Sequence, residues 1–246
     1  MTDSRVEIAA FNNAAWCDAV CDALSSPGEF LEDVWVNRHP APPFYPNVVT
    51  LTSGARSAAQ VAQIQALLDG GLGGQWAVKD SFAALDLVPL GFQVAFDATW
   101  LWRNPGQPGW LPEEDEEITG VHWRVAQSPD ELRRWETAWG GAPERAPVIF
   151  HPDLMEQPGI AFIAAYQGQE IVAGVVASRT EDVVGISNVF VPADRAESFW
   201  RGCVRAVEAL FPGLPMVDYE QGPDLEQALR LGFEDIGALR VWTRRG

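Results

Sequence analysis

Two short sequence patterns recur along this chain, and their constant spacing restricts the possible folds more than any other feature. Residues 46–51 (PNVVTL) resemble residues 187–192 (SNVFVP), and Leu-Gly-Phe begins at Leu90 and again at Leu231. The same number of residues separates the members of both pairs. Between these patterns, each half alternates strand-like and helix-like segments in the same order. The recurrence predicts a tandem repeat of one structural unit.

A stretch rich in proline, glycine and acidic residues lies between the two copies. Residues 103–119 read RNPGQPGWLPEEDEEIT, with five consecutive acids at 113–117. Such a run repels itself and is well solvated, so it is typical of a spacer. We therefore predict a shortened first unit over residues 1–103, a linker over 104–120 and a second unit over 121–246.

The charge of the chain disfavours two classes of partner. Its 34 acidic and 17 basic residues give a net charge of −17, which repels nucleic-acid phosphates and anionic membrane surfaces. No secretory signal and no apolar stretch of about 18 residues is visible, so we expect a cytoplasmic protein. The three cysteines lack CxxC spacing and predict buried thiols without a metal site. The oligomeric state stays open, a homodimer included.

The second half is the easier to interpret. Ser128, Pro129 and Glu131 form a capping-box pattern that starts a helix, and the polar QGQE turn predicts a hairpin. Apolar residues at helical spacing follow from residue 196. The predicted elements are a helix after Ser128, strands at 160–166, 171–178 and 183–191, a helix at 196–211, a strand at 216–220, a helix at 224–231 and a strand at 234–243.

This order of elements resembles the GNAT superfamily of acyl-CoA N-acyltransferases. The resemblance covers roughly residues 121–245 and rests on YQGQEIVAGVVAS, GISNVFV and the terminal ALRLGFEDIGALRVW. It implies an α+β fold with a mixed sheet. The first half then resembles a shortened unit of the same kind, with a helix around residues 13–24 and FLEDVWVN in place of the earlier elements.

The resemblance also implies a co-substrate site for acetyl-CoA or another acyl-CoA. In that family the fourth strand and the helix after it part in a V, and main-chain amides at the helix N-terminus bind the pyrophosphate. The family loop reads Gln/Arg-x-x-Gly-x-Gly/Ala. Here Arg195 matches its first position, while Ser198 and Trp200 replace the small residues and Glu197 adds a negative charge. The implied contacts are Val189, Phe190, Val191, Arg195, Ala196 and Ser198.

The candidate catalytic residues lie in MVDYEQG and at the end of the strand 183–191. Tyr219 is a candidate acid for the departing thiolate, and Glu220 or Asp218 a candidate base for the amine. Alternatively, Tyr219 is a half-buried strand aromatic and the acids are solvated. Asn188 and its counterpart Asn47 either line a cleft or bond the backbone at strand ends.

Two functions therefore remain open from the sequence. One is transfer of an acetyl or other acyl group to a small-molecule or peptide amine. The other is a binding or scaffold protein of the same fold that has lost transfer activity, since Glu197, Ser198 and Trp200 depart from the pyrophosphate loop. The structure can distinguish the two functions by whether strands 183–191 and 216–220 splay apart with an open groove between them.

Overall fold

The computed structural model describes residues 4–71, 74–107, 120–140 and 148–245. The chain divides into two compact units. One comprises Met1–Trp100 together with Ile236–Gly246, and the other comprises Leu101–Asp235. Most of the predicted linker, including the acidic run, lies outside the described residues, so the division of the sequence at 104–120 stays a prediction.

The first part of the chain contains both α-helices and β-strands. The helices are α1 (Ser4–Ala23) and α2 (Ser57–Asp69), and the strands are β1 (Glu29–Phe30), β2 (Val34–Val36), β3 (Val48–Thr50), β4 (Trp76–Asp80) and β5 (Gln93–Arg103). The predicted helix at 13–24 therefore starts nine residues earlier, at Ser4. Its buried residues from Val6 to Cys21 recur at helical spacing and lie on one face of the helix.

The second part follows the predicted order closely. It contains β6 (Val121–Val125), α3 (Pro129–Gly140), β7 (Ile160–Gln167), β8 (Glu170–Arg179), β9 (Val184–Phe190), α4 (Ala196–Leu210), β10 (Met216–Glu220), α5 (Gly222–Arg230) and β11 (Glu234–Arg244). At the start of α3, the Glu131 N–H donates to Ser128 Oγ at 3.3 Å, as the capping pattern predicts. The Glu131 carboxylate in turn accepts from the N–H of Gln127 at 2.7 Å.

In the first unit, the strands follow the order β1-β2-β3-β4-β11-β5. Strand β3 runs parallel to β4, whereas β1–β2 and β2–β3 are antiparallel. Strand β11 is antiparallel to β4, with Arg240 opposite Asp80 and Arg244 opposite Trp76. The last strand of the chain therefore completes the sheet of the first unit.

In the second unit, the strands follow the order β10-β9-β8-β7-β6. The β7–β8 hairpin and its neighbours are antiparallel, and β9–β10 is parallel. The parallel and antiparallel strand pairs, together with helices α1–α5 of the described residues, confirm the predicted α+β class with a mixed sheet.

The core of the second unit forms between its sheet and α4. Trp200, Cys203, Val204 and Val207 lie at helical spacing on the buried face of α4. They pack with Ile186 and other strand residues in one cluster. Gly202 allows the close approach, since a Cβ there would lie 2.3 Å from the Trp123 ring. Helix α4 is thus fixed against the sheet, with its N-terminus at the end of β9.

Among the described residues, no helix is both long enough and apolar enough to cross a membrane.

Candidate active site

Strands β9 and β10 part after a short paired section. Their parallel ladder consists of Val184 opposite Met216 and Gly185 opposite Val217. Both strands continue within the described range 148–245, to Phe190 and Glu220, but the ladder stops at these two pairs. We call the opening between 186–190 and 218–220 the fork. The strands predicted at 183–191 and 216–220 therefore part beyond this ladder.

Asn188 creates a bulge where β9 borders the fork. The register passes from Val176–Ser187 to Gly174–Phe190, so Asn188 and Val189 together face the single residue Val175. Asn188 has φ +52°, a left-handed conformation that asparagine tolerates better than most residues. A bulge of this kind bends a strand and redirects its groups. Here it does so beside the unpaired edge of β9.

The N-terminus of α4 follows directly. A short 3-10 helix, Ala193–Arg195, leads into it. Arg195 is the N-cap residue, and within the described range 148–245 its side chain makes no capping hydrogen bond. The first-turn amides of α4 are therefore left without this cap, at the positive end of the helix dipole. The Arg195 guanidinium lies 5.1 Å from the centre of the Phe199 ring, and its Nε lies 3.8 Å from the Asp194 carboxylate, a looser ion pair than a hydrogen-bonded one.

The residues that depart from the family loop are accommodated in different ways. Trp200 is only 2% exposed and packs in the core. Glu197 accepts from Arg201 Nη2 at 2.9 Å, so a cation on its own helix offsets its negative charge. Ser198 is half-buried in the first turn. None of the three disrupts the helix start.

The candidate catalytic residues of β10 lie on two different faces of the sheet. Paired residues on neighbouring strands share a face, and side chains alternate along each strand. Met216 packs in the cluster that contains the buried residues of α4. Asp218 and Glu220 share the face of Met216, whereas Tyr219 shares the face of Val217. The structure thus separates Tyr219 from Glu220.

Glu220 has a strongly perturbed acidity. Burial raises the pKa of its carboxyl from 4.5 to about 8, and the negative charge of Asp224 adds to this rise. A hydrogen bond with the Gln221 backbone opposes it. Perturbed carboxyls of this kind occur often at functional sites. Asp218 is 6% exposed, and its Oδ1 accepts from the Tyr219 N–H at 2.7 Å.

The opposite face of the sheet, which α3 covers, carries an aromatic cluster. The Trp135 ring makes edge contacts with Phe150, Phe162 and Phe190, at centroid distances of 5.7, 5.3 and 5.2 Å. Gly174 makes room for it, because a Cβ there would lie 2.5 Å from both Phe190 and Trp135. Phe190, which the resemblance implies as a co-substrate contact, thus packs on Trp135 on the α3 side of the fork.

The corresponding strands of the first unit are joined by side chains. Strands β3 and β4 pair at Val48–Val78 and Val49–Lys79, and directly beyond this the Ser81 N–H donates to Thr50 Oγ1 at 2.8 Å. Asn47 is buried and bonds the backbone: its Nδ2 donates to the His39 carbonyl at 3.0 Å, and its Oδ1 accepts from the Ala77 N–H. Of the two roles predicted for Asn47, the structure shows hydrogen bonding to the backbone at a strand end.

The loop before α2 is occupied by an ion pair of the chain itself. Arg56 Nε and Nη2 donate to the two oxygens of Asp33 at 2.9 and 2.8 Å, and this pairing lowers the pKa of the Asp33 carboxyl. Thr52 Oγ1 also donates to Asp33, and Gln60 Nε2 donates to the Thr52 carbonyl at 2.8 Å. The guanidinium nearest this helix start therefore already has an anion.

The cysteines Cys17, Cys21 and Cys203 are free and buried, as expected for ordinary core thiols. Over residues 4–71, 74–107, 120–140 and 148–245, no group of three or more His, Cys, Asp or Glu side chains is arranged to hold a metal ion.

Solved structures with this fold include known and tandem acetyltransferases. A GCN5-related N-acetyltransferase from Kribbella flavida superposes with a TM-score of 0.62 over 97% of this chain and 95% of its own, at 15% sequence identity. A putative GNAT-family acetyltransferase from Novosphingobium aromaticivorans gives a TM-score of 0.52 over 94% and 98%, at 12% identity.

A tandem GNAT protein from the clavulanic acid biosynthesis pathway superposes with a TM-score of 0.54 over 87% of this chain and 82% of its own, at 15% identity. No protein-family model matches the sequence, and no curated protein matches it. At these identities the comparisons establish the fold. The chain has the fold of the GCN5-related N-acetyltransferases, as the sequence resemblance predicts.

One property of the site could be predicted from the alternation of side chains along a strand. In MVDYEQG, the period of two along a strand already separates Tyr219 from Asp218 and Glu220. By contrast, the raised pKa of Glu220 depends on burial and on Asp224 in the next helix. No pattern within β10 indicates it.

Proposed function

We propose that this chain is an N-acyltransferase that moves an acetyl or other acyl group from acyl-CoA to an amine. One observation carries the proposal: the fork between β9 and β10 opens beside the uncapped N-terminus of α4. Acyl-CoA is a polyanion with a long thin arm. A helix N-terminus suits its pyrophosphate, and a gap between two strands suits the arm.

Residues of the second unit would hold this co-substrate. The main-chain amides at Ala196 and Ser198 would bind the pyrophosphate, and Arg195 would add a positive charge. The edge of β9 from Val189 to Val191, next to the Asn188 bulge, would run beside the arm. The ion pair between Glu197 and Arg201 offsets the negative charge that Glu197 would otherwise place near the phosphate.

The first unit is a poorer candidate for the same ligand. Thr50 and Ser81 bridge the strands where an arm would pass, and Asp33 neutralises Arg56. We infer one acyl-CoA site per chain, in the second unit.

The acceptor in this proposal is a small-molecule or peptide amine. A net charge of −17 attracts a cationic amine to the protein. Tyr219, Glu220 and Asn188 all border the fork and supply the polar groups near the reacting atoms.

Titration calorimetry with acetyl-CoA and CoA tests the proposal, together with two matched variants. Ser198→Glu places a carboxylate in the first turn of α4, and Ser57→Glu does the same in α2. An acidic residue in the first helical turn is compatible with folding. We expect one site per chain, a loss of affinity of at least 10-fold in Ser198→Glu, and unchanged binding in Ser57→Glu. Absence of binding at millimolar ligand would refute the proposal.

The alternative is a protein of the same fold without transfer activity. Ser198 and Trp200 favour it, since they replace the small residues of the family loop. The burial of Trp200 in the core weakens this argument, because its ring packs away from solvent. Turnover of acetyl-CoA with any member of a panel of amines, above the rate without enzyme, would exclude the inactive alternative.

A further inference from the structure

We propose that Glu220 is the proton donor to the departing thiolate, and that the acceptor amine approaches from the opposite face of the sheet, past Tyr219. This inference rests on the proposed function and reverses the roles that the motif alone suggests. It follows from the placement of the two residues on β10.

Glu220 lies on the face of the sheet that α4 covers. Met216 and Glu220 are four residues apart on a strand and therefore share a face. Met216 packs with Val204 and Val207 of α4, and Asp224 in the first turn of α5 acts on Glu220. A ligand whose pyrophosphate lies at the N-terminus of α4 reaches the fork from this same face. Its sulfur therefore arrives on the side of Glu220.

Tyr219 lies on the opposite face of the sheet from Glu220. Ser187 and Tyr219 each lie two residues beyond the paired residues Gly185 and Val217, so they flank the fork on one face. Phe190 is on this side too, because its ring contacts Trp135 of α3. An amine that enters here meets the acyl carbon from the side opposite to the thiol arm.

The charges around Glu220 favour its protonated form. Asp218 lies on the same face of the strand and Asp224 in the first turn of α5, and helix α4, which packs on this face, carries Glu197, the buried Arg201 and its N-cap Arg195. Glu197 is paired with Arg201. A carboxyl that is half-buried among acids keeps its proton at neutral pH. A protonated carboxyl is an acid, whereas a base has to be ionised beforehand.

The chemical step then balances. The amine nitrogen forms a bond to the acyl carbon, and the bond from that carbon to sulfur breaks with its electron pair on sulfur. Glu220 gives its proton to that sulfur, which leaves as a thiol. The attacking nitrogen loses one proton to solvent, and a proton from solvent restores Glu220. The products are an amide and free CoA.

Direct titration of Glu220 provides the first test, and it does not need turnover. The protein is labelled with 13C at the glutamate side-chain carboxyl, and the spectrum of Glu220→Gln identifies the Glu220 signal. We expect an apparent pKa well above 6 in the wild type, and a lower value in Asp224→Asn. A Glu220 pKa of 4 to 5 would overturn the inference.

The pH dependence of turnover provides the second test. We expect kcat to fall above about pH 8 as Glu220 loses its proton, and Asp224→Asn to move this fall to lower pH. Glu226→Gln, an exposed change on the same helix, should leave the profile unchanged. Glu220→Gln should lower kcat by about 100-fold or more and abolish the alkaline fall. Tyr219→Phe should mainly raise KM for the amine.

The opposite profile would refute the inference. If Glu220 acts as the base, kcat rises with pH through its pKa, and Glu220→Gln removes that rise. Deprotonation of the acceptor amine also makes the rate rise with pH. Acceptors of different pKa distinguish the two causes, because a rise that is due to the acceptor shifts with the pKa of the amine. Failure of the proposed function is distinct: no amine is acylated at any pH, whatever the titration of Glu220 shows.

Discussion

Replacing Glu220 with glutamine should stabilise the protein at alkaline pH and leave its stability unchanged in acid. Glutamine has nearly the same shape as a protonated glutamic acid but does not ionise. In the folded protein the pKa of Glu220 is raised from 4.5 to about 8. Between these values the unfolded chain has lost the proton while the folded protein keeps it, so the wild-type free energy of unfolding falls as the pH rises.

The size of the effect follows from the shift. One pKa unit corresponds to about 1.4 kcal/mol, so the rise sets a ceiling of about 5 kcal/mol at pH 9. Glu220 keeps part of its surface in solvent, which screens the charge, and we expect about 2 kcal/mol. For a chain of this size, that corresponds to a gain of about 4 to 8 °C in Tm.

The assay is the Tm of wild type and Glu220→Gln from pH 4 to pH 9. The two curves should coincide near pH 4 and separate between about pH 5 and pH 8. Glu226→Gln, on the same helix α5, is the control, and its difference from wild type should not follow this pattern. A constant offset at every pH, or a Gln variant that is less stable at pH 9, would refute the reasoning. A residue that costs stability at physiological pH fits a functional role, since such sites trade stability for activity.

Two further predictions concern the second unit. Arg103 is 2% exposed, and its Nη1 donates to Glu208 at 2.9 Å. Arg103→Met leaves Glu208 without this cation and should lower the free energy of unfolding, measured in urea, by about 3 kcal/mol. A loss below about 0.5 kcal/mol would contradict this prediction. The Arg124 guanidinium lowers the pKa of Glu131 to about 2, so this pair stabilises the fold above pH 4.5 and the stabilisation is lost as the pH falls towards 2. Arg124→Gln should return the Glu131 pKa towards 4.5 in a 13C titration, and an unchanged pKa would show that another group holds the carboxylate.

Local signals in the sequence account for most of the second half. The capping pattern at Ser128 gives the start of α3, the QGQE turn gives the β7–β8 hairpin, and the apolar spacing from Trp200 gives α4. Each of these depends on residues within one or two turns of each other. That is why the predicted bounds agree with the structure to within a few residues.

The remaining features depend on contacts between distant residues. Nothing in residues 234–243 indicates that β11 pairs with β4, more than 150 residues earlier in the chain. Helix α1 begins before the predicted residue 13 because its first turns are buried by tertiary packing, as at Val6 and Ala9. The separation of β9 from β10 and the raised pKa of Glu220 likewise required the structure.

The two sequence copies therefore differ in the property on which the proposed function depends. Under the repeat, Val48 and Val78 correspond to Val189 and Tyr219. The first pair is joined in a ladder, whereas the second lies beyond the point where β9 and β10 separate. In the first unit Thr50 and Asp33 then close the same region with hydrogen bonds and an ion pair. Under the proposed function the first unit does not bind acyl-CoA, and its sheet accepts β11. The acidity of the chain fits the proposed function, because of the helix starts of α2 and α4 only that of α4 would then have to attract an anion.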